Sequence, residues 1–215
     1  IRKVYSSSFR TYNQAVIAWE AVKKQNIELA SSELEKTRKE LRQTQKDLGG
    51  LSYLRFIPIA SWYYNDADHI IKAGFYGLDA ANVVIDSIEP YSDILGLKGQ
   101  GSFVMGTAEQ RVQTAVMTMG KITPHIDDVA KSFSLAKKEI DGINPSHYPS
   151  FLGGGKVQSK MHTLQNLVDE AAIFIEDARP LIKILPNLLG EKGEKKYLIL
   201  FQNDKELRPT GGFIT

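Results

Sequence analysis

The chain of 215 residues contains no cysteine. This absence excludes disulfide bonds, metal sites built on thiolates, and a cysteine nucleophile. It is compatible with the reducing cytosol and equally with a bacterial envelope protein that folds without disulfides. Cysteine usage therefore leaves the cellular compartment open.

The chain also lacks an excess of charge, because 27 Lys and Arg stand against 25 Asp and Glu, a net charge of +2. No basic run is interleaved with aromatic residues, so we expect no nucleic-acid partner. No apolar run reaches the roughly 18 residues that span a bilayer. The start, Ile1-Arg2-Lys3, has neither an initiator methionine nor a signal-peptide core, so we expect a piece of a longer chain.

Apolar residues at helical spacing are abundant, and 42% hydrophobic residues suffice for a buried core. The longest seam runs from Thr107 to Ile143, and Thr107 with Gln110 forms a capping-box pattern at its start. Pro124 lies within it and either bends the helix or makes it restart with Thr123 as the cap. We favour the bend. The seam consists of Val112, Ala115, Met119, Ile122, Ile126, Val129, Phe133, Ala136, Ile140 and Ile143.

Other segments show the same spacing and predict further helices. They run from about Val4 to Gln25, from about Glu28 to Asp47, from a cap at Asn65 or Asp66 to about Ile88, and from Val157 to Leu185. The fold predicted for residues 1–190 is mainly α, an antiparallel bundle of four to six long helices with coiled-coil-like seams. We expect the 107–143 helix to close the bundle by packing against the 157–185 helix.

The first helix carries a bulky apolar stripe. Its members are Tyr5, Phe9, Tyr12, Val16, Trp19 and Val22. The spacing predicts that this stripe faces the core. A helix lying on a membrane surface is the alternative, but few cations stand on the opposite face, so we favour packing within the bundle.

The segment 51–64 holds the densest group of aromatic residues, and Pro58 bars one continuous helix through it. The group comprises Tyr53, Phe56, Trp62, Tyr63 and Tyr64. These side chains form either a binding surface, because aromatic residues bring large contact area, or a plug at one end of the bundle. We favour the plug.

No metal site, cofactor site or catalytic set is predicted. The four histidines lie far apart in the sequence and have no second ligand at metal spacing. Two carboxylate pairs, Asp127-Asp128 and Glu176-Asp177, are adjacent in sequence, so their side chains point in different directions on a helix. Whether the whole protein is an enzyme stays open, but this segment alone is not expected to be one.

The character of the chain changes after Gly190. Residues Tyr197 to Phe201 form a short apolar run typical of a buried strand in an α/β sheet. Residues 191–215 are thus interpreted as the first strand and glycine-rich turn of a second domain that continues beyond this chain. Polar residues follow the strand as a candidate site, since α/β folds place their sites there. They are Gln202, Asn203, Asp204, Glu206, Arg208 and Thr210. The alternative, which we favour, is a turn and hairpin whose polar side chains satisfy backbone groups.

The same stretch resembles a known family. Phe201-Gln-Asn, Glu206-Leu-Arg and Thr210-Gly-Gly together are similar to the signature of the bacterial domain-of-unknown-function family 4012. The resemblance implies a transmembrane helix before residue 1, a position outside the cytoplasmic membrane, and a second α/β-type domain from near Glu194. A looser similarity links that second domain to the LytR-CpsA-Psr phosphotransferases, which attach glycopolymers to the cell wall. Arg208 would then be the first phosphate contact to test.

Three functional hypotheses follow. The favoured one is a non-catalytic helical stalk or interaction module of a membrane-anchored envelope protein. Its partners would be its own downstream domain, another protein, or a second copy bound through helix faces. The alternatives are the helical half of a glycopolymer transferase whose catalytic domain follows residue 215, and a helical bundle that senses a small ligand.

Overall fold

The computed structural model describes residues 1–99, 107–148 and 154–198, and these residues are almost entirely helical. The mainly helical fold is confirmed. Within the described ranges the α-helices are α1 (Arg2–Lys23), α2 (Ile27–Gly49), α3 (Ala60–Ile88), α4 (Ser92–Leu95), α5 (Ala108–Ile122), α6 (Ile126–Asp141) and α7 (Gly155–Leu188). Short 3-10 turns connect several of them, and the described part contains no strand beyond an isolated bridge between Asn26 and Lys98.

Helices α1 and α2 form a hairpin. Asn26 caps α2, because its side-chain oxygen accepts a hydrogen bond from the Leu29 N–H at 2.9 Å. The two helices meet through small and hydroxylated side chains, and the hydroxyls of Thr11 and Thr44 lie 3.0 Å apart. The residues of α1 buried in this contact are Ser7, Ala18 and Ala21. The bulky stripe predicted to be the inner face of α1 is exposed instead, so that prediction is wrong.

Helix α3 lies between the α1–α2 hairpin and the later helices. It begins at Ala60 rather than at the predicted cap, which places Asp66 inside the helix. On one side its Ile71 and Leu78 form a hydrophobic cluster with Leu41 of α2. On another side its Ala73 packs with Ala136 and Ile140 of α6. A helix buried on two sides needs two apolar faces, which α3 has.

The predicted helix from Thr107 to Ile143 is divided into α5 and α6. The capping box is confirmed, since Thr107 and Gln110 each bond the other's backbone N–H through a side-chain oxygen. Pro124 lies in the 3-10 turn between the two helices, because proline can neither donate the helical hydrogen bond nor fit against the preceding turn. Thr123 does not cap α6; its hydroxyl donates to the carbonyls of Met119 and of Ile182 in α7.

Helix α7 packs along α6, and the predicted contact between the two helices is confirmed. Met161, Leu164 and Val168 lie against the cluster that contains Ile140. These seam residues are half-buried, because α7 covers α6 from one side. Ion pairs flank the contact, among them Lys137–Asp169 at 2.5 Å and Lys183–Asp127 at 2.7 Å.

The described chain ends without regular structure after α7. Tyr197 and Leu198, the first residues of the predicted strand, are exposed and not in a strand. The rest of that strand and the glycine-rich turn lie outside the described residues. A second domain thus stays a prediction.

Candidate interaction surfaces

The predicted aromatic group is divided by the structure. Tyr64 is buried, and its ring lies 4.7 Å from the guanidinium carbon of Arg55. Trp62 stacks on His147, with ring centroids 4.8 Å apart and 10° between the planes. Tyr63 donates a hydrogen bond to the His147 carbonyl at 2.8 Å. Trp62 and Tyr63 thus hold the 3-10 turn that follows α6, whereas Tyr64 packs in the cluster with Leu41 and Ile71. The plug stays a prediction.

The two other predicted aromatic residues, Tyr53 and Phe56, lie on the 3-10 turn Ser52–Phe56 and are exposed. They do not join Trp62, Tyr63 and Tyr64 in one continuous packed cluster with His147. The sequence-predicted surface is therefore partly structural and partly free. Its free part is small and consists of two side chains.

A polar network lies beneath the stacked rings. Asp66 is 2% exposed, and its Oδ2 lies 3.2 Å from Nδ1 of His147. One turn further along α3, Nδ1 of His69 lies 2.7 Å from Oε2 of Glu139 in α6. Both pairs join α3 to the chain at or after α6. Since Trp62 covers the His147 ring, the network fixes this turn in place rather than presenting a reactive group.

Tyr148 extends the network. Burial raises the pKa of its phenol above the ordinary value, and the charge and hydrogen bond of Asp66 raise it further. Because the folded protein holds this proton more tightly than the unfolded chain, the stabilisation is complete below pH 10. It is lost as the pH rises above 10, where the unfolded chain ionises first.

We therefore expect the Tyr148→Phe variant to lose stability less steeply than the unmodified protein between pH 10 and pH 11. The difference should be up to about 1 kcal/mol, below the 1.4 kcal/mol of a full titration because the phenol is only half-buried. Urea unfolding at pH 8 to 11 measures it. The exposed Tyr5→Phe is the control, and equal pH profiles for both variants would contradict the role assigned to Tyr148.

A second aromatic surface, predicted from the sequence to face the core, lies on the outside of α1. We call it the α1 stripe. It comprises Tyr5, Phe9, Tyr12, Val16 and Trp19, and the four aromatic residues are 74%, 57%, 65% and 61% exposed in that order. Nine positions separate Tyr12 from the buried Ala21, about two and a half turns at 3.6 residues per turn. Most of the α1 stripe thus lies on the side of α1 opposite Ala21, and Tyr12 at its edge also lines a groove beside α2.

An apolar groove lies beside the α1 stripe. It is a cavity of about 380 Å³ bounded by α1, α2 and α3. Its floor includes Leu41, and its walls include Ala15 of α1 and Gly77 of α3. A Cβ added at Gly77 would meet no atom within 4 Å, whereas one at Gly74 would lie 3.1 Å from Leu41. Gly74 thus permits close packing of α2 on α3, and Gly77 leaves the groove open.

A second cavity, of about 400 Å³, lies where α3 ends near the turn that contains Pro124. Asp86, Ser87, Lys121 and His125 are among its lining residues. These groups are of the kind that would meet a small polar ligand, as the sensor hypothesis requires. The cavity is open to solvent, and that hypothesis stays a prediction.

A signal for the exposed stripe was present in the sequence. Ser7, Ala18 and Ala21 recur along the other face of α1, and small side chains allow two helix axes to approach closely. Helix α1 therefore has one face of small residues and one of large residues. The small face packs against α2.

Other predicted features are not tested by the described residues. The candidate cluster from Gln202 to Thr210 lies outside them. Within the described ranges, no group of three or more His, Asp or Glu side chains could hold a metal ion. None of the helices described combines the length and apolar character needed to cross a membrane.

Comparisons with known proteins find no match. No family model, no curated protein and no solved structure matches the chain. The resemblance to family 4012 accordingly stays a prediction, and the functional argument rests on the surfaces described above.

Proposed function

We propose that the helices form a non-catalytic interaction module of a membrane-anchored protein in the bacterial cell envelope. One observation supports the interaction role above all others: the α1 stripe is exposed although it carries all the aromatic side chains of helices α1 and α2. The largest contiguous apolar patch on a monomeric protein is often a binding site.

The composition of the α1 stripe supports a protein partner. Tyr and Trp dominate the residues that carry binding energy in protein interfaces, since they bury large areas and lose little side-chain entropy. Two tyrosines, a phenylalanine and a tryptophan follow one another along α1 at helical spacing. A partner surface of about four turns could therefore contact all of them.

The stripe is also dispensable for the fold of this chain. Helix α1 is held to α2 by its opposite face, through Ser7, Ala18 and the Thr11–Thr44 contact. An ion pair of 2.9 Å between Arg10 and Glu40 adds to that attachment. Its large side chains are thus available to a partner.

The remaining parts of the proposal rest on the resemblance to family 4012. They are a transmembrane helix before residue 1, a location on the outer side of the cytoplasmic membrane, and an α/β-type domain after residue 190 that packs on these helices. The transferase hypothesis belongs to that second domain. The sequence of the gene on both sides of the chain tests these parts. The transmembrane helix requires an upstream apolar run of about 20 residues. The second domain requires a strand-rich continuation after residue 215.

The interaction role is tested by photo-crosslinking in bacteria that produce the full-length protein. A benzophenone analogue of phenylalanine replaces Phe9, and the same analogue replaces the exposed Lys39 of α2 as a matched control. We expect a discrete crosslinked product from position 9 and none from position 39. If position 9 yields no product under conditions where the protein is folded and abundant, the proposed interaction surface is refuted.

A further inference from the structure

We infer that the partner of the α1 stripe is a second copy of this chain, so that the stripe of each copy lies in the groove of the other. This inference rests on the proposed function, because it names the occupant of the same surface. It goes beyond it by assigning the groove between α1 and α3 as the receiving site.

The α1 stripe and the groove have complementary shapes. The α1 stripe is convex and aromatic, and the groove is concave and apolar, with Leu41, Ile71 and Leu78 on its floor. The two surfaces are neighbours on α1, since Tyr12 belongs to both of them. A two-fold axis beside α1 can therefore place each stripe into the other groove at the same time. Such an interface is closed and self-complementary, which is the commonest form of homo-oligomer.

The orientation of the α1 stripe also permits this contact. Because the α1 stripe is exposed while Ser7, Ala18 and Ala21 pack against α2, α1 can enter a groove on another copy without leaving its own hairpin. The groove needs an elongated apolar guest, and a helix carrying a stripe of large residues is the usual guest of such grooves. The open space at Gly77 provides room for a large side chain.

The exposed area of the α1 stripe is large enough for a dimer interface. At roughly 200 Å² for each aromatic side chain, the exposed fractions of Tyr5, Phe9, Tyr12 and Trp19 amount to about 500 Å². Both copies contribute this area in a two-fold interface, which makes about 1,000 Å² before the groove linings are counted. Specific interfaces bury about 1,200–2,000 Å² in total. The α1 stripe and the groove together reach that range.

The α1 stripe carries no charge that the contact would bury. No Asp, Glu, Lys or Arg belongs to the α1 stripe, and Arg10, the nearest cation in the middle of α1, is paired with Glu40. The residues that line the groove are uncharged as well, so a stripe can enter it without burying like charges, which would cost several kcal/mol in an interface.

A membrane surface is the other occupant that an aromatic helix face suggests. A bilayer would cover the convex α1 stripe but would leave the concave groove unfilled. The groove is lined almost wholly by carbon, so leaving it filled with water is unfavourable. A helix from a second copy covers both surfaces, and we therefore choose it.

The test measures the mass of the full-length protein, solubilised if it is anchored, by sedimentation equilibrium from 0.1 to 100 μM. We expect a monomer–dimer equilibrium that the double substitution Phe9→Glu, Trp19→Glu weakens at least 100-fold. Its thermal melt, recorded by circular dichroism in the monomeric concentration range, should be unchanged. The control is Phe174→Glu on α7. Phe174 is equally bulky and 70% exposed, but it belongs neither to the α1 stripe nor to the groove, so this variant should leave the equilibrium unaltered.

A second pair of variants tests the groove without touching the stripe. Gly77→Leu places a side chain in the open space of the groove and should weaken the dimer at least tenfold without lowering the melting temperature. Gly49→Leu is the matched control, because a Cβ at Gly49 also meets no atom within 4 Å but lies outside the groove. Equal dimerisation of both variants would overturn the assignment of the groove.

The outcomes separate this inference from the proposed function. A monomer at 100 μM that still yields a product from position 9, with a mass other than twice that of the chain, overturns the second copy but keeps the interaction module. A monomer that binds phosphatidylcholine–phosphatidylglycerol vesicles through Phe9 and Trp19 overturns it in favour of a membrane surface. A dimer that both stripe and groove variants dissociate supports it.

Discussion

Replacement of Ile126 by aspartate is expected to lower the free energy of unfolding by several kcal/mol. Ile126 is 4% exposed and packs with Ala80 of α3 and Val129 of α6. A carboxylate there would lose its water and find no cationic partner in the cluster, and the packing of the isoleucine would be lost as well. Whole domains are stable by only about 5–15 kcal/mol, so this substitution removes a large share.

The control for Ile126→Asp is Ile173→Asp on α7, because Ile173 is exposed. Urea unfolding followed by circular dichroism gives both values. We expect Ile173→Asp to change the unfolding midpoint little. Similar midpoints for both variants would show that the contact between α3 and α6 does not form the core.

The second large effect is expected from His147→Ala, which should cost about 3 kcal/mol. The substitution removes the hydrogen bond to Asp66 and leaves a carboxylate that is almost fully buried with one partner fewer. It also removes the ring that stacks on Trp62. Both losses fall on the contact that ties the chain after α6 to α3.

His125→Ala provides the matched control for this prediction. His125 also faces a carboxylate, that of Asp128 at 3.8 Å, but both side chains are more than half exposed, so their interaction contributes little. A double-mutant cycle with Asp66→Asn then isolates the coupling between Asp66 and His147. If His147→Ala and His125→Ala shift the melting temperature equally, the buried network has no special role in stability.

Periodicity predicted α2 and α7 well. The apolar residues Ala30, Leu41 and Leu48 recur at helical spacing in α2, and these residues are buried. Helix α2 has one clearly apolar face, so its amphipathic pattern has a single solution. Helix α7 also exposes Leu167, Ile173 and Phe174, yet its seam still meets α6. The capping box at Thr107 was also predictable, because its two hydrogen bonds form within four residues.

Helix α1 was predicted with the wrong face inward, because the hydrophobic pattern weighs transfer from water and ignores how closely two helices can approach. Ser7, Ala18 and Ala21 offer less apolar area than Phe9 and Trp19, yet they fit against α2. Packing decides when a helix has two candidate faces. A single sequence contains no direct statement of which neighbour a face will meet.

Asp66 shows the same limit at the level of one residue. An aspartate before an apolar run is typical of a helix cap, so the local pattern predicted a start there. In the structure its partner is His147, which lies 81 positions away in the sequence. A contact of that separation leaves no local pattern, and the Tyr148 and Trp62 contacts around it were equally invisible.

Helix α3 has one more property, which concerns mechanical coupling. Its Gly77 and Ile71 line the groove, and its Asp66 and His69 hold the chain at and after α6. A guest in the groove would contact the same helix whose hydrogen bonds of 3.2 and 2.7 Å hold the chain at and after α6. Because the same helix takes part in both contacts, α3 is the element through which binding at the hairpin would be coupled to the chain next to α7.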